Sequence, residues 1–335
     1  MSLKKGDTIF FENCPSITGF ATVGGKKESE GPLAEEFDCI CVDTRMGEEC
    51  WEKAESAYQR SAVEKALNKA GITLGDIDYL FAGDLQNQCT ASAYTVRDLD
   101  VQFAGLYGAC STMAESLSLA SSFVGSGICN RAMALTSSHF CAAERTFRTP
   151  LEYGGQRTPT AQWTVTAAGA VVVSAQGGAP YVKSVTLGHI RDFGIIDINN
   201  MGAAMAPAAA ETILRYFADS GKKPIDFDHI YTGDLGLVGS TLLQEILKQE
   251  GVTLPNYSDC GMLIYDRLRQ DVGAGGSGCG CSAAVLCAHI LPEVQSGVMK
   301  NVLFVATGAL MSPVTFMQGE SIPGIAHLVH ISSQK

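Results

Sequence analysis

Charged residues and long apolar runs are both scarce in this sequence. Charged residues make up 18% of the 335 residues, against roughly 25% in typical soluble domains, while apolar residues make up 46%. A chain with so little charge and so many apolar residues can form a core, which excludes an intrinsically disordered protein. The most apolar runs, 167–173 and 201–210, fall short of the ~18 residues that a transmembrane helix needs. We therefore expect a folded chain without a membrane span.

Basic residues are outnumbered by acidic ones. The 24 lysines and arginines against 35 acids give a formal net charge of −11, and the sequence pI is about 5.0. Since no basic block appears either, nucleic acid is excluded as an electrostatic partner. The first residues are basic but lack the long apolar stretch of a secretory signal. We expect a cytoplasmic-type protein that stays in the compartment where it is made.

The twelve cysteines include no Cys-x-x-Cys pair. Two Cys-x-Cys pairs, Cys39 with Cys41 and Cys279 with Cys281, would ligate a metal only if the fold brought them together. Their spacing is not that of a zinc ribbon, and no histidine pair supports them. The favoured interpretation is that these thiols are small buried side chains in a reducing compartment, with no metal and no cofactor.

Part of the chain is repeated. Residues 71–85 and 221–235 align without a gap, and six of the fifteen positions are identical. Residues 110–127 and 280–297 align in the same way, each with a glycine-rich turn before a helical segment. Chance similarity between two α/β stretches is the alternative, but two matched blocks occur in the same order.

The repeated blocks predict an α/β protein made of two duplicated halves, 1–160 and 161–335. Each half contains helix, strand, turn, helix and strand in that order, with predicted strands at 131–136 and 301–306. The segments 113–124 and 282–291 carry almost no charge and many small residues. Such helices suit a middle layer between two sheets, because they are apolar on all sides.

Cys110 stands directly before the first of these middle helices. Thr112 and Glu115 have the spacing of a capping box, so the helix is predicted to begin just after Thr112. Free N–H groups and the helix dipole favour a thiolate there, so we expect a lowered pKa for the Cys110 thiol. The position suits a nucleophile or an anion-binding site. The alternative is a cysteine that only fills a tight turn.

At these residues the sequence resembles a known superfamily. The resemblance covers nearly the whole chain and is carried by segments such as GPLAEEFD (31–38), YGACST (107–112), MGAAMAPAAA (201–210), GGSGCGCSA (275–283) and IPGIAH (322–327). They are similar to the thiolase superfamily, which includes the ketoacyl synthases, and within it to a sporulation family of endospore-forming bacteria. The resemblance implies a five-layer αβαβα fold of two halves and a homodimer.

The same resemblance implies a function. Members of that sporulation family bind dipicolinic acid, a pyridine dicarboxylate, and serve its uptake into the developing spore. They act within a membrane channel assembly, with membrane proteins of the same operon as partners. The expected location is therefore the developing spore, peripheral at the spore inner membrane. The net charge of −11 favours attachment through protein partners over anionic lipids.

The enzymes of the superfamily pair their cysteine with a histidine and an asparagine, or with two histidines, and this sequence departs from that pattern. Cys110 matches the nucleophile, but Gly233-Asp234 stands where the histidine follows its strand. Gly280 stands near the asparagine position, between two cysteines. Without such partners nothing stabilises a developing oxyanion. The implied protein is a non-catalytic binder; a residual acyl transferase or condensing enzyme using Cys110, and a purely structural scaffold, are the alternatives.

A planar dianion requires positive or N–H donors and a flat slot. The candidate ligand contacts are Cys110, Ser111, Thr112, Asp84, Asn87, Ser138, His139, Arg145, Arg148, Gly280 and Cys281. The helix start supplies N–H groups, and arginine binds carboxylates with two hydrogen bonds.

Other charged and histidine residues lie near these motifs. Arg157 belongs to the same arginine cluster, and Asp234 is predicted to cap a turn rather than to line the site. The remaining histidines are predicted to be structural. Because acidic residues repel a free dianion, the calcium chelate of dipicolinate is a further ligand form.

Overall fold

The computed structural model describes residues 2–147 and 156–335. The strands are β1 Ser2–Lys5, β2 Thr8–Phe11, β3 Ser16–Gly24, β4 Cys39–Ile40, β5 Tyr79–Gly83, β6 Phe103–Gly105, β7 Arg131–Ser138, β8 Trp163–Thr164, β9 Ala167–Ser174, β10 Tyr181–Thr186, β11 His229–Thr232, β12 Tyr257–Asp259, β13 Gly276–Ser277, β14 Asn301–Ala309 and β15 Gly324–Ser332. The helices are α1 Trp51–Ala70, α2 Thr90–Arg97, α3 Thr112–Gly125, α4 Phe140–Phe147, α5 Met201–Ser220, α6 Gly236–Gln249, α7 Cys260–Leu263, α8 Cys279–Val285, α9 Leu291–Gln295 and α10 Pro313–Met317.

Ten of the thirteen strands of the main sheet form two five-strand sets in the same arrangement, and β1, β2 and β4 pair beside them. One set runs β3-β9-β7-β5-β6 and the other runs β10-β15-β14-β11-β12. In each set the second strand runs antiparallel to both of its neighbours, and the last three strands are parallel. The two sets meet at one paired position, Tyr181 with Ser16. The duplication predicted from the repeats is therefore present in the pairing order.

Strand β9 belongs to the first set, although it lies beyond residue 160. It pairs with β3 on one side and with β7 on the other. Strand β10 then begins the second set. The pairing thus favours a division between residues 174 and 181 rather than at 160/161, because a strand belongs with the strands that satisfy its backbone hydrogen bonds.

Helices cover the two strand sets in the layers αβαβα. On one outer face α1 packs on β3, β9 and β7, and on the other α5 packs on β14 and β15. Between the sets, α3 contacts strands of both, while α8 packs on β7 and β9. Met113 and Leu117 of α3 are fully buried, as a middle layer requires. The predicted fold class is confirmed.

The start of α3 differs in detail from the prediction. The helix begins at Thr112, but a 3₁₀ turn over Ala109–Ser111 leads into it. The Thr112 hydroxyl donates to the Ala109 carbonyl oxygen at 2.7 Å, because the tighter turn brings that carbonyl within reach. The predicted capping box with Glu115 is therefore wrong. The second middle helix begins at Cys279 and continues through a π-helical turn at Leu286–Ile290 into α9.

Two sequence-based expectations concern absences. Within residues 2–147 and 156–335, no helix is both long enough and apolar enough to cross a bilayer. In the same residues no group of three or more His, Cys, Asp and Glu side chains is arranged to hold a metal ion. The two Cys-x-Cys pairs belong to different elements, since Cys39 lies on β4 and Cys279 lies at the start of α8.

Candidate functional site

A cavity of about 260 Å³ opens where the chain leaves β5 and β14, beside the start of α3. Its lining consists of Leu85, Asn87, Tyr107, Ala109, Cys110, Thr146, Phe147, Thr164, Met201, Ser277, Ala309, Leu310, Met311, Ser312 and Pro313. Clefts at the carboxyl ends of parallel strands are common ligand sites in α/β proteins. Most of this lining is apolar, with a few hydroxyl, thiol and amide groups, which is the usual composition of a small-molecule site.

Cys110 and Ser277 form the polar wall of the cavity. The Cys110 thiol is buried, and its Sγ lies 3.9 Å from the Ser277 Oγ. Behind them, the Asp234 carboxyl is fully buried and accepts hydrogen bonds from the Ser277 hydroxyl at 3.1 Å and the Gly278 N–H at 2.7 Å. The Thr307 hydroxyl donates to its other oxygen at 3.1 Å. Asp234 therefore touches the wall from behind.

Electrostatics keep the Cys110 thiol protonated. Burial raises its pKa well above the ordinary value, and the negative charge of Asp234 raises it further. The lowered pKa predicted from the helix start is therefore wrong, because desolvation and a neighbouring carboxylate outweigh the helix dipole. Burial also raises the pKa of Asp234, to about 6, against the opposing effect of its hydrogen bonds.

Among the predicted contacts, Cys110 and Asn87 line the cavity directly. The Asn87 Oδ1 accepts a hydrogen bond of 3.1 Å from the Tyr107 hydroxyl. Ser111 and Thr112 are buried beside the cavity, and each hydroxyl donates to a carbonyl of its own turn. Their backbone positions remain close to the wall, and their roles as ligand contacts stay predictions.

Asp84 and Asp234 end equivalent strands but lie in different surroundings. Asp84 accepts from the N–H and the hydroxyl of Ser92 and from the Gln86 N–H, so it fixes the loop and helix that follow β5. Asp234 contacts the cavity wall. The expectation that Asp234 only caps a turn is therefore wrong, and Asp84 is the one that serves the turn.

Ser138 and His139 do not line this cavity. The Ser138 hydroxyl donates to the Val165 carbonyl at 2.6 Å. The His139 Nε2 lies 2.9 Å from the Thr44 carbonyl oxygen, and its ring packs 5.2 Å from that of Trp51. Burial lowers the pKa of His139, which favours a neutral imidazole. That Ser138 and His139 contact a ligand stays a prediction. Their hydrogen bonds within the fold do not support it.

The predicted arginines are divided. Arg145 forms an ion pair with Glu52 on the surface. Arg157 pairs with Glu144 at 2.6 Å and lies over the rings of Phe140 and Trp163. Arg148 lies outside the described residues, and in sequence it directly follows Phe147, which lines the cavity.

Gly280 and Cys281 are buried in α8 behind the cavity. A Cβ atom at Gly280 would lie 2.5 Å from the Ser138 Oγ and 2.6 Å from the Ala167 carbonyl oxygen, so only glycine fits. The Cys281 Sγ lies 3.9 Å from the Gly233 carbonyl oxygen. Both serve close packing between α8 and the strands.

Sequence reasoning missed Tyr107, Ser277 and the segment Met311–Pro313 as cavity lining. Tyr107 and Ser277 stand within two of the segments that carry the resemblance, three positions before the predicted contacts Cys110 and Gly280. The third segment follows β14, which is the strand of the second half equivalent to β7, at the end of which Ser138 and His139 were predicted as contacts. Applying the repeat to both halves would have found it.

Solved structures with this fold are enzymes of the thiolase type. The chain matches OleA of Xanthomonas campestris bound to cerulenin at 16% identity, covering 98% of this chain and 99% of that one, with a TM-score of 0.62. It matches 3-oxoacyl-[acyl-carrier-protein] synthase III of Aquifex aeolicus VF5 at 12% identity, covering 95% and 99%, with a TM-score of 0.58. The fold is therefore thiolase-like.

The family is narrower than the fold. The model of the family "Stage V sporulation protein AD (SpoVAD)" matches residues 5–332. Stage V sporulation protein AD of Bacillus subtilis (strain 168) is 45% identical over 328 residues, covering 98% of this chain and 97% of that protein. The chain belongs to the stage V sporulation protein AD family, and the resemblance seen in the sequence is confirmed.

Proposed function

We propose that this chain binds dipicolinic acid without catalysis, in the cavity beside Cys110, and serves its uptake into the developing spore. The observation that carries the proposal is the Asp234 carboxyl behind Cys110 and Ser277. A carboxylate at this position disfavours the thiolate that acyl transfer requires, because like charges raise the thiol pKa. The pocket of the enzyme fold then remains as a binding site.

The size and chemistry of the cavity support a small planar ligand. Its volume of about 260 Å³ lies just below the usual range for drug-sized ligands. The hydroxyl groups of Tyr107 and Ser277 would donate to carboxylate oxygens once they turn from their partners in the free protein, Asn87 and Asp234, and the largely apolar remainder offers a surface for a ring. Arg148 is the sequence neighbour that we propose as the cationic partner. The free acid and its calcium chelate are both ligand forms of this proposal.

An isothermal titration of the full chain with dipicolinate tests this function. Cys110→Ala and Arg148→Ala are expected to weaken binding by tenfold or more. Arg145→Ala is the matched control, because Arg145 is bound to Glu52, and it should change the affinity less than twofold. If dipicolinate gives no heat of binding with the unmodified chain, dipicolinate binding is refuted.

The same protein tests the acyl-transfer alternative. After incubation with acyl-CoA, intact mass spectrometry should show no acyl adduct on the unmodified chain. A stable adduct that disappears in Cys110→Ala, without dipicolinate affinity, would favour the enzyme instead. A chain with neither adduct nor affinity would be a scaffold.

We propose a homodimer formed through the edge strand β6. All three residues of β6 are exposed, and its described pairing is with β5 on one side. An edge with free N–H and C=O groups is a template for a second copy. Phe103→Pro removes one of these donors, because residues 102 and 106 bond to β5 and the alternation of the strand leaves the Phe103 N–H at the open edge. Light scattering should show a dimer for the unmodified chain and a monomer for this variant; a monomer in both contradicts the proposal.

We also propose membrane proteins of the same operon as partners, docking beside the cavity. Six large apolar side chains are more than 40% exposed on two hydrogen-bonded segments, here called the mouth patch: Ile190, Phe193, Ile196, Val314, Phe316 and Met317. Exposed apolar patches mark interaction surfaces. Phe193→Asp should release the chain from spore membranes, whereas Leu268→Asp, at an exposed site elsewhere, should not. Equal membrane retention of both variants would exclude this surface.

A further inference from the structure

Asp234 connects the cavity to a set of buried acidic and thiol groups. Two polar lining residues contact it, since the Ser277 hydroxyl donates to its Oδ2 and the Cys110 thiol is a second neighbour. The Gly278 N–H and the Thr307 hydroxyl complete its hydrogen bonds. Any anion seated against the wall is therefore separated from this carboxyl by one layer of side chains.

The surroundings of Asp234 contain further acids and thiols. Facing it are Cys110 before α3, Cys279 and Cys281 on α8, Asp259 at the end of β12 and Cys260 on α7. Among residues 2–147 and 156–335, no lysine, arginine or histidine donates a hydrogen bond to its side chain. A second negative charge in the cavity would be opposed at short range in a water-poor site.

We infer that dipicolinate binding at this cavity takes up one proton, and that Asp234 holds this proton while the ligand is bound. The inference rests on the proposed function and adds to it the protonation state of the site. It makes Asp234 a positioning residue, because it acts on the ligand through Ser277.

The proton moves through one hydrogen bond. In the free protein the Ser277 hydroxyl donates to the Asp234 Oδ2. When a proton from solvent forms an O–H bond at Oδ2, Asp234 becomes the donor and the Ser277 oxygen the acceptor. The Ser277 hydrogen then turns toward the cavity and donates to a ligand carboxylate. One uptake thus removes a repelling charge and supplies a donor.

The pKa of Asp234, raised by burial to about 6, fits this step. At pH 7.5 the carboxyl of the free protein is mostly ionised, so binding must bring in a proton. A bound dianion raises the pKa of Asp234 further, because its negative charge disfavours the ionised carboxylate. The apparent affinity should then fall about tenfold for each pH unit above the pKa of the free protein.

Calorimetry of the full chain with dipicolinate tests the inference. Titrations at pH 7.5 in two buffers of different ionisation enthalpy give the number of protons taken up, and we expect close to one. The dissociation constant should rise about tenfold between pH 7 and pH 8. This measurement needs no variant, so it holds even if a substitution at the buried site prevents folding.

Variants assign the proton to its residue. Asp234→Asn should take up no proton and should bind with little pH dependence. Asp259→Asn is the matched control, because this buried acid contacts Thr232 and backbone N–H groups but no lining residue, and it should keep the proton uptake. Ser277→Ala should bind more weakly yet keep the uptake.

Two results overturn the inference and are distinguishable. Binding without proton uptake, or uptake that persists in Asp234→Asn, refutes the role of Asp234 and leaves dipicolinate binding intact. No binding by the unmodified chain between pH 5.5 and pH 8 refutes the proposed function and the inference together.

Discussion

The two halves of this protein carry the same strand order but use their buried acids differently. In the first half, the charge of Asp84 acts on the buried Glu55 of α1, and both carboxyls accept hydrogen bonds within the fold. In the second half, Asp234 is accompanied by Asp259 and reaches the cavity wall. A duplicated unit thus keeps an acid at each strand end, and only one copy contributes it to the site.

The difference arises from the segment that faces each acid. Asp84 meets the Ser92 hydroxyl and N–H, which belong to a helix that follows in sequence. Asp234 meets Ser277 and Gly278, which are distant in sequence and precede α8. The glycine-rich turn before α8 lets its backbone approach the carboxyl closely, because Gly278 has a positive φ of 103°.

Among the substitutions that compare the two halves, Glu55→Gln is expected to give the largest effect, which is on the pH dependence of the free energy of unfolding. Burial and the charge of Asp84 raise the pKa of Glu55 to about 8, so the folded protein holds the proton more tightly than the unfolded chain. The free energy of unfolding therefore falls as the pH rises from about 4.5 to about 8. Glu55→Gln should remove about 3 kcal/mol of that decline between pH 5 and pH 8.

Urea denaturation at several pH values measures this decline. Glu64→Gln, on the exposed face of the same helix, is the control and should follow the unmodified protein. Parallel pH curves for Glu55→Gln and the unmodified chain would show that the pair in the first half is not a stability determinant.

The aligned positions Cys110 and Gly280 provide the next test. Gly280→Ala places a Cβ atom 2.5 Å from the Ser138 Oγ, so overpacking should cost about 2 kcal/mol of stability. Cys110→Ala removes a side chain that borders the cavity and should cost about 1 kcal/mol or less. Denaturation midpoints compare the two; equal costs would mean that the packing around the two middle helices is more alike than the contacts indicate.

Alkylation of Cys110 distinguishes the two strand-end acids. Because the charge of Asp234 raises the thiol pKa, Asp234→Asn should speed the reaction of Cys110 with iodoacetamide about tenfold. Asp84→Asn should leave the rate unchanged, since Asp84 lies in the other network. Peptide mass spectrometry over time gives both rates. An equal acceleration by both variants would contradict the division of roles.

The smallest expected effect concerns the surface. Arg145 pairs with Glu52 while about half exposed, so solvent screens the pair. Arg145→Ala should change the free energy of unfolding by less than about 0.5 kcal/mol. A thermal unfolding curve shifted by many degrees would contradict this expectation and would show that Arg145 stabilises the fold as buried groups do.

The repeats predicted the architecture because duplicated hydrophobic and glycine patterns determine strand and helix order. Aligned residues such as Gly83 and Gly233 fall at equivalent strand ends, as expected. The site was less predictable, since Asp234, Ser277 and Thr307 come from three distant segments. The raised pKa of the Cys110 thiol was not predictable for the same reason: a helix start is visible in sequence, but a carboxyl brought beside it by tertiary structure is not.

The position of the last strand bears on how the protein is made. Strand β15 lies between β14 and β10, whereas the first set is complete once β9 has been synthesised. On the ribosome the five strands of the first set can therefore pair while the rest of the chain is still being translated. In the second set, whose strand β11 precedes Asp234, the place between β14 and β10 stays empty until Gly324–Ser332 have been synthesised. Removal of β15 alone should consequently leave the first set paired and covered by α8, while β14 and β10 in the second set expose unpaired edges that favour aggregation.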